Sequence, residues 1–326
     1  MGDFNVKQDS LFALALNELA IVEKELASVI VSQEAMVTDI GSHLLRAGGK
    51  RLRPALFVLC AKGRGAAAVS LPVAVAIELI HMATLVHDDV IDGAATRRSL
   101  PTANARWGNH VSVLTGDYFF AKAFSLIAAN AGAEALTILT DSICAICEGE
   151  ISQASDLFNP RQTEDAYLNR IGKKTAGFIA ASCELGALAA GLPAADVAAL
   201  RQYGHAIGMA FQITDDILDV TASTEQIGKP AGNDLRQGVL TLPVIYALAN
   251  SPQKSELAEL IAARDMTGAK LAGGLAIVRE TDAVEHSYRR VSQYLAAARG
   301  ALPASLAADV RAALVDIADF VGLRKY

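Results

Sequence analysis

The stretch His87-Asp88-Asp89-Val90-Ile91-Asp92-Gly93-Ala94-Ala95-Thr96-Arg97-Arg98 sets the reading of this chain. Three aspartates in a DDxxD pattern with aliphatic filler are followed by a glycine break and two arginines. Further along, a second DDxxD appears: Asp215-Asp216-Ile217-Leu218-Asp219. In a helix the first and last aspartates of each pattern share a face, about 5–6 Å apart. Carboxylates so close repel one another, so a packed cluster calls for a cation. Oxygen-only ligands select a hard ion, and magnesium combines a few carboxylates with waters and substrate phosphates. The EF-hand spacing that calcium favours is absent. The plain alternative is two solvated acidic helix faces. Leu85, Val86, Phe211 and Ile213 flank the acids with apolar surface, where unpaired aspartates are costly. The two patterns are therefore read as two halves of one metal site.

The composition fits a small anionic ligand. The 326 residues are 52% hydrophobic and 20% charged, with a net charge of −6, which argues against disorder and against nucleic acid as partner. The cations are clustered: Lys50-Arg51-Leu52-Arg53, Arg97-Arg98, Lys173-Lys174 and Lys229. Local positive clusters on an acidic chain suit a small polyanion. Paired metal-binding carboxylates beside lysine and arginine point to a diphosphate. With no P-loop or kinase-type glycine-rich loop, the implied chemistry is loss of diphosphate from carbon rather than phosphoryl transfer.

The segment pattern is helical throughout. Residues 11–45 carry apolar residues at helical spacing over a length that fits two helices. Gly48-Gly49 stops the second, and Pro54 sits in the first turn of the next. Pro72 opens the helix bearing Glu78, His81 and the first acids. Pro193 opens the one that reaches Asp219. No strand stands out and no linker divides the chain, so we expect an all-α fold in a single domain, 1–326. No secretory signal and no run of about 18 apolar residues is found. The expectation is a cytoplasmic protein without a transmembrane segment, touching a membrane only transiently for product release. Cys144 and Cys147 form a CxxC with no second half, and all four cysteines are expected to be buried in helices.

From about residue 47 to 249 the chain resembles the trans-isoprenyl (polyprenyl) diphosphate synthases. The resemblance rests on GGKRLRP (48–54), IELIHMATLVHDDVIDGAATRRSLPTANARWG (77–108), LTGDYFFAKAF (114–124), GKKTA (172–176), FQITDDILDV (211–220), GKPAGNDL (228–235) and TLPVI (241–245). It implies a helical bundle around a central active-site cavity. It also implies head-to-tail condensation of isopentenyl diphosphate onto an allylic diphosphate such as farnesyl or geranyl diphosphate. By motif position, Asp88, Asp89, Asp92, Asp215, Asp216 and Asp219 would hold magnesium and the allylic diphosphate. Arg97, Lys174 and Lys229 would touch that diphosphate. Lys50, Arg53, His81 and Arg98 would hold isopentenyl diphosphate, while Lys174, Thr175 and Gln212 would sit beside the nascent allylic cation. Members of this family are usually homodimers. Two departures stand out: Val239 where many members carry lysine, and Ser99 where glycine is common.

Several residues keep two readings. His81 fits a packed core histidine as well as a ligand, and Arg51 a surface residue or a structural ion pair. Asp234 fits a loop cap or a partner of Lys229. Lys173 reads as a solvated neighbour of Lys174, and Arg324-Lys325 as either a closing tail or a frayed end.

Product length is expected to depend on Ala83 and Thr84, one turn before Asp88. Short-chain members place aromatics there. These two small side chains leave room, which resembles the long-chain heptaprenyl and octaprenyl type that makes quinone side chains. The cavity floor is expected from residues 118–128 and 136–147. The alternatives are a farnesyl or geranylgeranyl diphosphate synthase, a class I terpene cyclase, and a non-catalytic subunit of a heteromeric synthase. A cyclase pairs its DDxxD with a different metal motif and lacks GGKRLRP. The two intact acidic sets argue against a non-catalytic subunit.

Overall fold

A computed structural model of the chain describes residues 12–65, 71–98, 100–221 and 232–323. The chain forms two compact units, one of Met1–Leu139, Ser182–Val197 and Ala304–Leu314, the other of Thr140–Ala181, Ala198–Pro303 and Val315–Tyr326.

The first unit holds α1 (Leu16–Val29), α2 (Ala35–Arg46), α3 (Leu52–Ala61), α4 (Leu71–Ile91), α5 (Ala103–Trp107) and α6 (Asn109–Asn130). Helix α4 is its centre and packs along α6, α1 and α3. Every residue from Val73 to Ile80 is buried, Glu78 included. A helix that is apolar all round belongs in a core, and α4 stays so until its last turns present the acids. By length and composition α4 and α6 each qualify as membrane-spanning, although uninterrupted apolar runs are lacking. In α4, 61% of that window is buried inside the protein, as in a core helix.

Contrary to the strand-free expectation, a small antiparallel hairpin follows α4, with β1 (Thr96–Arg97) paired to β2 (Leu100–Pro101). Its connection is two residues long, and Arg98 takes the left-handed conformation (φ 51°) that such turns use. Thr102 fastens the hairpin to α4: its hydroxyl donates to the Ala94 carbonyl at 2.6 Å, and its amide to that of Ala95 at 3.1 Å.

Helices α7 (Gly132–Ser155), α9 (Gly177–Ala189) and α10 (Ala194–Thr221) each contribute residues to both units. The second unit adds α8 (Glu164–Ile171), α11 (Asn233–Gln237), α12 (Leu242–Asn250), α13 (Lys254–Ala262), α14 (Gly268–Arg279) and α15 (Ala283–Ala301), and α16 (Ala308–Gly322) completes the chain. Thr163 caps α8, its hydroxyl accepting from the Ala166 amide at 3.2 Å. Between α8 and α9 the backbone widens into one π-helical turn, Gly172–Ala176.

Cys60 and Cys183 are buried, but Cys144 and Cys147 are exposed, against expectation. With Ile151, 71% exposed, they form an outward stripe on α7, whose buried positions include Leu139, Ile146 and Gly149. Residues three and four apart share a helix face, and a lone CxxC does not say which face that is.

Candidate active site

The first acidic set occupies the end of α4 and sorts its members by burial. Asp89 is 1% exposed, and its carboxylate accepts from Arg97 Nε at 2.8 Å. The hairpin makes this possible by returning Arg97 over the helix end, and the Ala94 amide closes the turn onto the Asp89 carbonyl at 3.0 Å. Asp88 is half-buried and Asp92 exposed. One turn apart, they form the outward pair of the set. His87 turns away from them and donates to the Val113 carbonyl on α6 at 3.0 Å. A Cβ on Gly116 would come within 2.1 Å of the His87 ring nitrogen. The glycine of LTGDYFF is thus the space that lets this ring, and with it the end of α4, lie against α6.

The cations cluster one helical layer away. The Arg53 guanidinium lies 3.4 Å from His81 Nε2. Arg98 and Arg51 both reach Gly49: a Cβ there would meet Arg98 Nη1 at 2.9 Å and Arg51 Nη1 at 3.2 Å. Burial, then the charges of Arg53, Arg98, Arg51 and Arg97, hold the His81 imidazole well below its ordinary pKa. His81 is therefore neutral, with a lone pair for Arg53. Arg51 resolves as a structural ion pair, bound to Glu23 and to Glu78. Half-buried Lys50 belongs to the same loop.

Upstream of the acids, Ala83 is fully buried and Thr84 half-buried, its hydroxyl donating to the His81 carbonyl at 2.8 Å.

The second acidic set lies on α10. Asp216 is 4% exposed, with both oxygens engaged: Tyr167 Oη donates to Oδ2 at 2.7 Å and Gln212 Nε2 to Oδ1 at 2.8 Å. Burial pushes the Asp216 carboxyl up to about 7 despite these two donors, and the charge of Asp215 adds to the rise. Asp215 is half-buried. Asp219 accepts from the amides of Asn233 and Asp234, both at 3.1 Å, so it ties the end of α10 to the start of α11. Asp234 enters this cap through its backbone. Lys229, expected beside it, lies outside the described residues, as does the Arg324-Lys325 tail.

The π turn presents the remaining expected residues. A Cβ on Gly208 would meet the Ala176 Cα at 2.5 Å, so only glycine lets α10 pass so close to the turn. One helical turn further on, Gln212 accepts from the Thr175 hydroxyl at 2.8 Å. Lys174 pairs with Glu150, and Lys173 with exposed Glu148 at 2.7 Å, as a solvated neighbour would. π-Helical turns concentrate at functional sites, and this one joins Thr175 to Gln212 and, through it, to Asp216. Sequence reasoning missed Tyr167, Glu150 and Glu78. A tyrosine in an otherwise polar helix, and a lone glutamate within an apolar one, were the available signals.

The carboxylates suit a hard divalent ion. Asp88 and Asp92 offer oxygen donors only, on a helix end that reaches solvent. Among the described residues no three His, Cys, Asp or Glu side chains gather as a closed metal cage. A magnesium site completed by waters and substrate phosphates does not need one.

Comparison with known proteins agrees with this geometry. Residues 34–277 match the polyprenyl synthetase family. The chain is 44% identical over 322 residues to heptaprenyl diphosphate synthase component 2 of Geobacillus stearothermophilus, covering 98% of this chain and 100% of that one. It is 37% identical to the nonaprenyl diphosphate synthase of Mycobacterium tuberculosis, over 96% of this chain and 94% of the other. Its fold superposes with a TM-score of 0.92 on a Caulobacter crescentus polyprenyl synthase solved with calcium and isoprenyl diphosphate, at 38% identity and 98% coverage of both chains. The chain belongs to the polyprenyl synthetase family, with long-chain trans-prenyl synthases among its relatives.

Proposed function

We propose that the chain is a magnesium-dependent trans-polyprenyl diphosphate synthase that extends an allylic diphosphate with isopentenyl diphosphate to a long-chain product, of the kind used for quinone side chains. The observation that carries this reading is the end of α4. There the outward carboxylates Asp88 and Asp92 lie in the same unit as a nest of basic groups, Arg53, His81 and Arg98. One set suits a metal-bound diphosphate and the other a second diphosphate held directly.

Magnesium, when bound, would neutralise diphosphate charge and so make the allylic diphosphate a better leaving group. Asp88, Asp89, Asp92, Asp215, Asp216 and Asp219 are the residues that would hold it. Arg97, Lys174 and Lys229 add positive charge for the same diphosphate. Lys50, Arg53, His81 and Arg98 bind the isopentenyl diphosphate headgroup. The allylic C–O bond breaks, and its electron pair leaves with diphosphate. The isopentenyl double bond attacks the resulting cation, and the adjacent carbon then loses a proton to the departed diphosphate. No nucleophilic side chain is required, only aimed dipoles in a water-poor cavity. An amide oxygen has two lone pairs. The Thr175 hydroxyl takes one from Gln212 and orients the other for the cation.

We further propose one catalytic domain over residues 1–326, because four of the five unit boundaries fall within helices and only that at Pro303 falls in a connection. A cytoplasmic location and a homodimer belong to the same reading. Val113 and Leu114, 39% and 54% exposed on α6, offer apolar surface for a second copy. The component 2 in the name of the Geobacillus relative favours a different assembly, with a second, distinct subunit.

Incorporation of labelled isopentenyl diphosphate onto farnesyl diphosphate, with the product sized by chromatography, tests the reaction and the product length together. The expected product is a linear long-chain prenyl diphosphate, shortened by Ala83→Phe. Cyclic hydrocarbons would point to a cyclase, and unchanged product length in the variant would remove Ala83 from the tail path.

A further inference from the structure

Glu78 is the one acid within the buried stretch of α4, and it stands among cations. It is 2% exposed. Its Oε1 accepts from Arg51 Nη1 at 2.7 Å. Among the described residues its Oε2 is buried without a hydrogen-bond partner. The charges of Arg51 and Arg53 both act on it, opposing a burial that raises its pKa. Arg51 is held from the other side by Glu23. Its backbone is left-handed (φ 48°), as is that of Gly48 (φ 68°), so the loop before α3 depends on side-chain anchors to keep its shape. Lys50 precedes Arg51, Arg53 follows by two residues, and the Arg98 guanidinium lies against the same Gly49 that Arg51 touches.

We propose that Glu78 is a positioning residue for the isopentenyl diphosphate subsite: by holding Arg51 it fixes the 48–53 loop and sets Lys50, Arg53 and Arg98 where one diphosphate meets all three. This rests on the assignment of those cations under the proposed function. Two physical effects compete. A carboxylate near a diphosphate repels it, so simple Coulomb attraction makes loss of Glu78 tighten binding. Loss of the anchor instead releases Arg51 toward Arg53 and Arg98, and like charges spread the cluster. Without Glu78 the buried Arg51 keeps only half-buried Glu23 as counter-charge, and a buried charge that loses a partner is strongly penalised where it stands, so the positioning effect dominates.

The experiment is steady-state kinetics of the full chain, varying each substrate separately. Glu78→Gln is expected to raise KM for isopentenyl diphosphate about tenfold, with kcat and the allylic KM within about twofold. Arg51→Lys, which loses the planar fork, is expected to do the same, and it decides the question if Glu78→Gln fails to fold. Arg53→Ala tests the underlying assignment. If it raises KM for isopentenyl diphosphate while Glu78→Gln leaves that KM unchanged or lowers it, the positioning role is overturned and the assignment stands. If Arg53→Ala leaves that KM unchanged, the subsite itself is misassigned and the proposal falls with it. A parallel fall in kcat for both substrates would mark Glu78 as merely structural and would also overturn the proposal.

Discussion

The two DDxxD sets share a sequence pattern but are supported in different ways. On α4 the buried member, Asp89, is held by a full charge, the Arg97 guanidinium returned by the hairpin. On α10 the buried member, Asp216, is held by neutral donors, Tyr167 and Gln212. In both sets the second aspartate turns inward and the first is half-buried, whereas the last differs: Asp92 is exposed and Asp219 accepts from the amides of Asn233 and Asp234. A guanidinium lets a carboxylate stay charged in a dry site, whereas neutral donors compensate less. At Asp216 burial outweighs the two neutral donors and the more distant charge of Arg170, and the carboxyl is pushed up to about 7. The repeated motif thus shares a half-buried first aspartate and an inward second one, while only the α4 set adds an exposed third.

The largest effect is expected where the first aspartate of each set is replaced. Asp88→Asn and Asp215→Asn should each lower kcat about 10²–10³-fold with little change in thermal stability, measured by turnover and by melting. Equal losses would show that the two sets contribute alike; a much smaller loss on one side would show an unequal division. The next effect separates the supports. Arg97→Met removes the guanidinium that faces buried Asp89, and should cost about 3–5 kcal/mol in chemical denaturation. Tyr167→Phe removes one neutral donor and should cost about 1–2 kcal/mol. Similar costs for both would contradict the distinction between charged and neutral support.

The smallest effect concerns pH and the cation nest beside the first set. His81 has a folded pKa well below the 6.5 of the unfolded chain. The unfolded chain therefore takes up a proton that the folded one refuses. The contribution to stability is fully present above pH 6.5 and is lost as pH falls through and below that value. Denaturation midpoints measured down from pH 7 should fall more steeply in the parent than in His81→Asn. Parallel pH curves would show that the ring is not held neutral.

What the sequence conveyed follows from what local pattern encodes. Apolar spacing located the long helices, and the prolines at positions 54, 72 and 193 marked helix starts. Motif order led to the family and to the acids. Facing was harder to read. Helix α4 is apolar all round, so its periodicity does not say which aspartate turns inward, and only the returning hairpin decides for Asp89. The support of Asp216 comes from Tyr167, 49 residues away in sequence, and no local signal links them. The sequence places Glu78 on the helix that Pro72 opens but does not show that it is buried and paired with Arg51. The close approach of Gly208 to the π turn at 172–176 is a tertiary fact. Cys144 and Cys147 show the same limit, because helical spacing placed them on one face without saying which.

The most direct measurement is a magnesium titration of isopentenyl diphosphate incorporation by the purified chain alone, with farnesyl diphosphate as primer. The two carboxylate sets predict incorporation that is lost with chelator, restored by magnesium, and yields a linear long-chain diphosphate. Absence of incorporation at saturating magnesium and both substrates would contradict the assignment of this chain as a self-sufficient synthase.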